Sequence, residues 1–347
     1  MRLNLSHTTL SASEDYIRAY QTAAKECGMQ PQILIDMQGP ELRVGRLEEA
    51  IQLVEQEVIH LVADSKDEGL SVNCGVVDST TCDSGTEGRV DMEDRGERCI
   101  PIPPVVIDAA SIGDIILWDD GKLQLEVMEI FETESGLTDG VYRKSLHAKV
   151  LRGGLLQSHK SVKIKGRHIP MPVLTEHDLA NIKLAKSHGV TALMQPFVLS
   201  GEDLRYVRKV LEENHAEDIS IFAKIENRMG VENLDNILPE ADVIVIARGD
   251  LGNDMPLWEL PAVQKQIENK CKEYNKPYIV VTQMLASMEE HPLPTRAEVS
   301  DIFHAVYHGA WGVMITGESA IGKYPVEAVK YLARTVESVF SSGFLAF

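Results

Sequence analysis

Seven short, almost continuous apolar runs recur along the chain, and each closes on polar side chains. They are "RLNLS" (2–6), "ILIDMQ" (33–38), "ALMQPF" (192–197), "IFAKIEN" (221–227), "DVIVIARGD" (242–250), "YIVVTQM" (278–284) and "GVMITGES" (312–319). Strands this apolar belong in a parallel sheet covered on both sides. Helical patterns fill the intervals: "SEDYIRAYQTAAKEC" (13–27), "EHDLANIKLAKSH" (176–188) behind Thr175 as N-cap, "LWELPAVQKQIENKCKEY" (257–274), and "PVEAVKYLARTVESVF" (325–340), which opens on proline. Strand–helix alternation of this kind means an α/β fold, either a barrel or a doubly wound sheet.

Residues 41–165 break that rhythm. They are rich in Val, Ile, Thr and Gly, with alternating stretches such as "KLQLEVMEI" (122–130). A small all-β, barrel-like domain inserted after the second strand is expected there, leaving 1–40 and 166–347 as the α/β part. Within the insert, residues 61–100 hold ten acidic and four basic residues, and "DSTTCDSGTEG" (78–88) reads as a solvated excursion.

The polar ends of the strands carry Asn4, Ser6, Asp36, Lys224, Glu226, Arg248, Asp250 and Thr282. A (β/α)8 barrel builds its active site at this C-terminal edge. In "IFAKIEN", Lys224 and Glu226 are two residues apart on a strand and project to the same face. An isolated pair of that kind would be a structural ion pair, but here it joins a cluster. Glu226 and Asp250 offer two hard carboxylates, a small protein ligand set that suits Mg2+ completed by substrate and water. Lys224 and Arg2 offer positive charge for a phosphate or an enolate. In "ARGDLG", Gly249 lets a backbone N–H approach a carboxylate at a helix start.

The blocks "RLNLSH", "DMQGPELR", "KIENRMGV", "ARGDLG", "TQMLASM", "PTRAEVSD" and "TGESAIGKYP" resemble, in order, the signature blocks of pyruvate kinases. "WDDGKLQLEV" (118–127) and "SHKSVKIKG" (158–166) are similar to that family's lid domain. The resemblance implies transfer of phosphate from phosphoenolpyruvate to ADP, giving pyruvate and ATP. It implies Glu226 and Asp250 as Mg2+ ligands, and Lys224, Arg2 and Thr282 as catalytic groups. Arg2, Lys224, Gly249, Asp250 and Thr282 fall on substrate-binding positions, and His7, Arg43 and Lys160 on the nucleotide side. Asn4, Ser6, Asp36 and the Met37 carbonyl fall on a K+ site, and a homo-oligomer is expected. Where the family commonly has Thr-Lys, this chain has Met37 and Gln38, which leaves the K+ requirement open. Pro196 stands where a small residue, often Ser, lines the family's site. The family's first strand and helix precede "RLNLSH" and have no counterpart here, so seven strands are expected, a (β/α)8-type barrel missing its first β/α unit. The family's C-terminal effector domain likewise has no counterpart. Two rival readings are a non-catalytic paralogue that binds metal and a pyruvate-like acid, and a Mg2+-dependent C–C lyase working through a pyruvate enolate.

Charge and cysteine content narrow the field. A net charge of −19, from 34 basic and 53 acidic residues, argues against a nucleic-acid partner. No apolar run is long enough to span a bilayer. Five cysteines (Cys27, Cys74, Cys82, Cys99, Cys271) without a CxxC fit a reducing cytoplasm. "GESAIGKY" (317–324) nearly spells a phosphate-binding loop, but Tyr324 replaces the Ser or Thr that would hold Mg2+, and Pro325 follows at once. His304 and His308, four apart on a helix, lack the third ligand a zinc site needs. "GGLLQ" (153–157) reads as a turn and "TEHD" (175–178) as a structural capping box.

Overall fold

The computed structural model describes residues 1–6, 8–64, 98–134, 142–167, 169–341 and 343. The 78–88 excursion, Cys74 and Cys82 lie outside them. The chain forms two compact units, Met1–Pro40 with Met171–Phe347, and Glu41–Pro170.

In chain order, β1 (Arg2–Asn4), α1 (Glu14–Glu26) and β2 (Leu34–Asp36) come first. The strands β3 (Ile51–Leu53), β4 (Val58–Ala63) and β5 (Cys99–Ile102) follow, then α2 (Pro104–Ala109). Next are β6 (Ile115–Trp118), β7 (Leu123–Glu134), β8 (Tyr142–Arg152), β9 (Gly154–Leu156) and β10 (Val162–Ile164). Alternation resumes with α3 (Glu176–Ala185), β11 (Ala192–Gln195), α4 (Gly201–Glu213), β12 (Ser220–Ile225), α5 (Arg228–Glu232) and α6 (Leu234–Ile237). It continues through β13 (Val243–Ala247), α7 (Arg248–Asp254), α8 (Leu260–Glu273) and β14 (Tyr278–Val281). The last elements are α9 (Arg296–Tyr307), β15 (Gly312–Met314), α10 (Gly317–Ala320) and α11 (Pro325–Ser341).

The first unit is an α/β barrel-type fold. Its seven strands are all parallel in the order β1-β2-β11-β12-β13-β14-β15. Both faces of the strands are buried, as the apolar runs require. One face supplies Met194, Phe222, Val245 and Val281 to an inner cluster. The other supplies Leu193, Ile221, Ile244 and Val280 to the larger core against the helices. Helix starts are fixed by side chains that satisfy the first N–H groups. Thr175 with Asp178, Ser200 with Asp203, and Thr295 with Glu298 each form a capping box. Two elements are shorter than the sequence pattern predicts. The 257–274 helix begins only at Leu260, with Pro261 in its first turn, and "GVMITGES" splits into β15 and the single turn of α10.

Glu298 does more than cap α9. Its carboxylate also accepts from the Ser287 backbone at 2.7 Å and from the Ser287 hydroxyl, tying the turn after β14 to the start of α9. Burial pushes its pKa up, but the hydrogen bonds from Ser287 and Thr295 outweigh that and leave it below the ordinary glutamate value. A lowered folded-state pKa means stability that is present above the unfolded value, about 4.3, and lost as pH falls through the folded one. Glu298→Ala is therefore expected to cost about 1 kcal/mol at pH 7, a gap that narrows below pH ~4. Thermal denaturation of both proteins at pH 7 and pH 3 checks it.

The second unit packs a six-stranded sheet, order β10-β6-β7-β8-β4-β5, with the β3–β9 pair. Strand alternation sends Ile59, Leu61, Leu125, Leu146, Ala148 and the fully buried Trp118 into one core. That core also takes Val106 and Ile107 from α2, a helix the sequence pattern did not mark.

Candidate active site

Strand parity decides the site. Phe222 points into the inner cluster of the barrel unit, so Lys224 and Glu226 face the same way, at the C-terminal edge. The Lys224 ammonium lies 2.8 Å from Glu226 Oε1 and 3.5 Å from Asp36 Oδ1. Arg2 reaches Asp36 from β1: its Nε donates to Oδ2 at 3.0 Å and its Nη2 to the same oxygen. Asp36 and Glu226 are both almost fully buried. Burial works against the Lys224 ammonium, but the charges of Asp36, Glu226 and Asp250 more than compensate and hold its pKa above the usual lysine value. Burial raises the Glu226 pKa, Asp250 raises it further, and Lys224 opposes both. Three carboxylates thus face two cations, an excess of negative charge in a water-poor site.

The loops around this cluster hold strained conformations. Phe197, after β11, has φ of 53°, unusual for a bulky residue. That geometry aims its N–H at Glu226 Oε2, 2.8 Å away. Pro196 and Phe197 press on Gly39, where an added Cβ would meet Pro196 Cγ at 2.5 Å, so the turn after β2 has room only for glycine. Thr282 and Gln283 are both left-handed, at φ of 76° and 54°. A β-branched residue in that region is a true outlier, at a cost of roughly 1–3 kcal/mol. Two side chains hold it there. Arg248 donates to the Thr282 carbonyl at 2.7 Å, to Met284 Sδ at 2.9 Å and to Asp301 Oδ2 at 2.7 Å. The buried Glu318 carboxylate accepts from the N–H groups of Leu285 (3.0 Å) and Thr316 (2.7 Å). Gly249 lies against Thr282, with 3.0 Å between a notional Cβ and Thr282 Cγ2.

The structure therefore brings together Arg2, Asp36, Lys224, Glu226 and Asp250, and brings Gly249 beside Thr282. Asn4 Oδ1 accepts from the Ser6 N–H at 3.0 Å, beside Asp36 in the strand register. Asp36 Oδ1 is buried and forms no hydrogen bond, with the Lys224 ammonium standing off at 3.5 Å. The Met37 side chain is buried in the core against the helices, so only its backbone is on offer to a ligand. Arg43 and Lys160 sit together in the β unit: the Val44 N–H donates to the Lys160 carbonyl, Arg43 pairs with Glu41, and Lys160 pairs with Asp119 at 2.9 Å. His7 lies outside the described residues. Among the described residues no three His, Cys, Asp or Glu side chains form a ready metal cage.

Sequence reading missed three supports. Asp178, read only as part of a capping box, is fully buried and also accepts from the N–H groups of Gln38 and Gly39. Its capping motif was visible, but its second task was not. Phe197 and Glu318 carried no signal beyond their blocks.

Strand-end carboxylates and cations on an α/β barrel define the class of protein. A family model described as "Pyruvate kinase, barrel domain" matches residues 1–329. The pyruvate kinase of Bacillus licheniformis is 36% identical over 329 residues, covering 95% of this chain and 50% of that protein. That of Debaryomyces hansenii is 36% identical over 338 residues, covering 96% and 60%. That of Chlamydia pneumoniae is 34% identical over 335 residues, covering 96% and 62%. This chain belongs to the pyruvate kinase family. It spans about half the length of such curated relatives as the pyruvate kinases of Bacillus licheniformis and Geobacillus stearothermophilus. Among the described residues no helix is long and apolar enough to cross a membrane.

Proposed function

We propose that the chain transfers phosphate from phosphoenolpyruvate to ADP. The observation that carries this reading is the buried Arg2–Asp36–Lys224–Glu226 network with Asp250 beside it. Phosphoryl transfer needs positioning and charge neutralisation more than a covalent nucleophile, and this network supplies both. Lys224, held as an ammonium, meets charge developing on the phosphoryl group and the forming enolate. Arg2 adds a second cation, Gly249 gives a substrate carboxylate close access to the backbone, and Thr282 presents its hydroxyl from a fixed, strained loop. Arg43, Lys160 and His7 are assigned to the nucleotide.

The residues fit the family's metal. Asp250 adds its negative charge to that of the buried Glu226, which is what a divalent cation relieves, and the two would hold Mg2+. A Mg2+ held by them would supply charge neutralisation and orientation to the transferring phosphate. Asp36 Oδ1 makes no hydrogen bond and has only the Lys224 ammonium near it, at 3.5 Å, so it would have capacity for a K+ beside Asn4, Ser6 and the Met37 carbonyl. The replacement of Thr by Met37 removes no side-chain donor from that set, because the side chain is in the core. Assembly into a homo-oligomer and a cytoplasmic location belong to the same reading.

The test is pyruvate formation from phosphoenolpyruvate and ADP, coupled to lactate dehydrogenase, with Mg2+ and with or without K+. Turnover that needs both ADP and Mg2+ is expected, with K+ raising the rate. Metal and phosphoenolpyruvate binding without turnover would replace this reading by the non-catalytic one, and pyruvate release without ADP would favour a lyase.

A further inference from the structure

Asp178 is completely buried, and among the described residues its carboxylate pairs with no ammonium or guanidinium. Three backbone N–H groups and one hydroxyl satisfy it instead. The Gln38 N–H donates to Oδ1 at 3.0 Å. The Gly39 N–H is shared, 3.2 Å from Oδ2 and 3.4 Å from Oδ1. From the start of α3, Thr175 donates to Oδ2 through its N–H at 2.9 Å and its hydroxyl at 2.7 Å. A buried carboxylate needs such donors, and the N-terminus of α3 favours its charge further. A capping box uses only the Thr175 half of this set. The other half ties α3 to the turn after β2.

That turn carries the Met37 carbonyl. Gly39 is left-handed, at φ of 63°, which lets two successive N–H groups close on one anion. The peptide between Met37 and Gln38 is trans, so its C=O points opposite to its N–H. Ile35 and Met37 belong to the core against the helices, whereas Leu34 packs on the inner cluster and Asp36 shares its face. With the Gln38 N–H turned out to Asp178 in the helix layer, the Met37 carbonyl is turned in, to the side of Asp36. The Met37 N–H donates to the Met194 carbonyl at 3.1 Å, so the peptides on both sides of Met37 are fixed.

We propose that Asp178 is a positioning residue for the monovalent-cation ligands: its hold on the Gln38 and Gly39 N–H groups aims the Met37 carbonyl at the place beside Asp36 Oδ1. The inference rests on the reading that K+ binds there. Asparagine is a poor replacement, because an amide has one accepting oxygen. Whichever way it turns, its NH2 group meets the N–H of Thr175 or of Gln38, and the charge that draws both turn N–H groups is gone. Thr175→Ala is the control. It removes the hydroxyl from the helix start and leaves the bonds to Gln38 and Gly39 in place.

The experiment is Tl+ binding, as a probe for K+, to the whole chain in saturating Mg2+, followed by thallium NMR. Asp178→Asn is expected to weaken binding about 10-fold or more, the scale of losing the outer partner of a metal ligand. Thr175→Ala should lower the melting temperature and leave Tl+ affinity close to that of the wild type. Equal losses of affinity in the two variants would make Asp178 a helix cap and overturn the proposal. Tl+ binding unmoved in a folded Asp178→Asn also overturns it. No Tl+ binding by the wild-type chain would remove the K+ reading itself, and this proposal with it. If Asp178→Asn loses its fold by circular dichroism, hydrogen exchange of the wild-type chain decides. Cation binding and the Asp178 clamp must strengthen each other, so the amides of residues 36–39 are expected to exchange at least about 5-fold more slowly in K+ than in tetramethylammonium. Equal exchange in the two salts overturns the proposal.

Discussion

Lys224→Met is expected to lower turnover about 10³-fold or more, the scale of losing a charge-stabilising group aimed at the transition state, while divalent metal still binds. Methionine keeps much of the volume but removes the ammonium that lies 2.8 Å from Glu226 and 3.5 Å from Asp36. Breaking one side of a buried ion network costs roughly 3–5 kcal/mol, so the variant should also melt earlier. The metal site behaves differently. Lys224 opposes cation binding at Glu226 and Asp250, and its loss leaves both carboxylates in place with more uncompensated charge between them. Mn2+ used as a probe is therefore expected to bind as tightly as in the wild type or more so. The checks are steady-state turnover, Mn2+ titration by electron paramagnetic resonance, and circular dichroism to establish the fold. Turnover within ten-fold of the wild type would remove Lys224 from the mechanism. Lost Mn2+ binding in a folded variant would instead take the metal away from Glu226 and Asp250.

Much of this site was legible because one physical rule governs it. Parallel strands must be apolar on both faces, so a charge near a strand's end has few places to go except the barrel mouth, and "IFAKIEN" and "DVIVIARGD" could be placed by that rule. What stayed hidden depends on tertiary register or on backbone conformation. Nothing in a run of letters shows that Phe197 and Thr282 are left-handed, since both residue types ordinarily avoid that region. Asp178 could be recognised as a cap, yet its hold on Gln38 and Gly39 joins residues about 140 positions apart. The α2 helix escaped notice because its six residues are too few for a period to emerge.

The second large effect is expected at a residue that need not touch substrate. Arg248→Ala should lower kcat/KM about 10²-fold, the scale of displacing a reacting group by about 1 Å. Arg248 is mostly buried and spends its guanidinium on the Thr282 carbonyl, Met284 and Asp301, so it joins the loop after β14 to α9. Glu318 holds the same loop from the other side through Leu285. Without Arg248, the left-handed Thr282 can relax toward an ordinary conformation and carry its hydroxyl away from Gly249. Lysine does not restore the arrangement, because an ammonium lacks the planar fork that reaches three acceptors at once. A merely structural role would also slow the enzyme, so the rate of one variant does not decide the matter. The double-mutant cycle does. If Arg248 acts through Thr282, then Arg248→Ala adds little to the loss already caused by Thr282→Ala, and the double variant matches the Thr282→Ala single variant. If the two losses multiply instead, Arg248 supports the barrel but does not position Thr282.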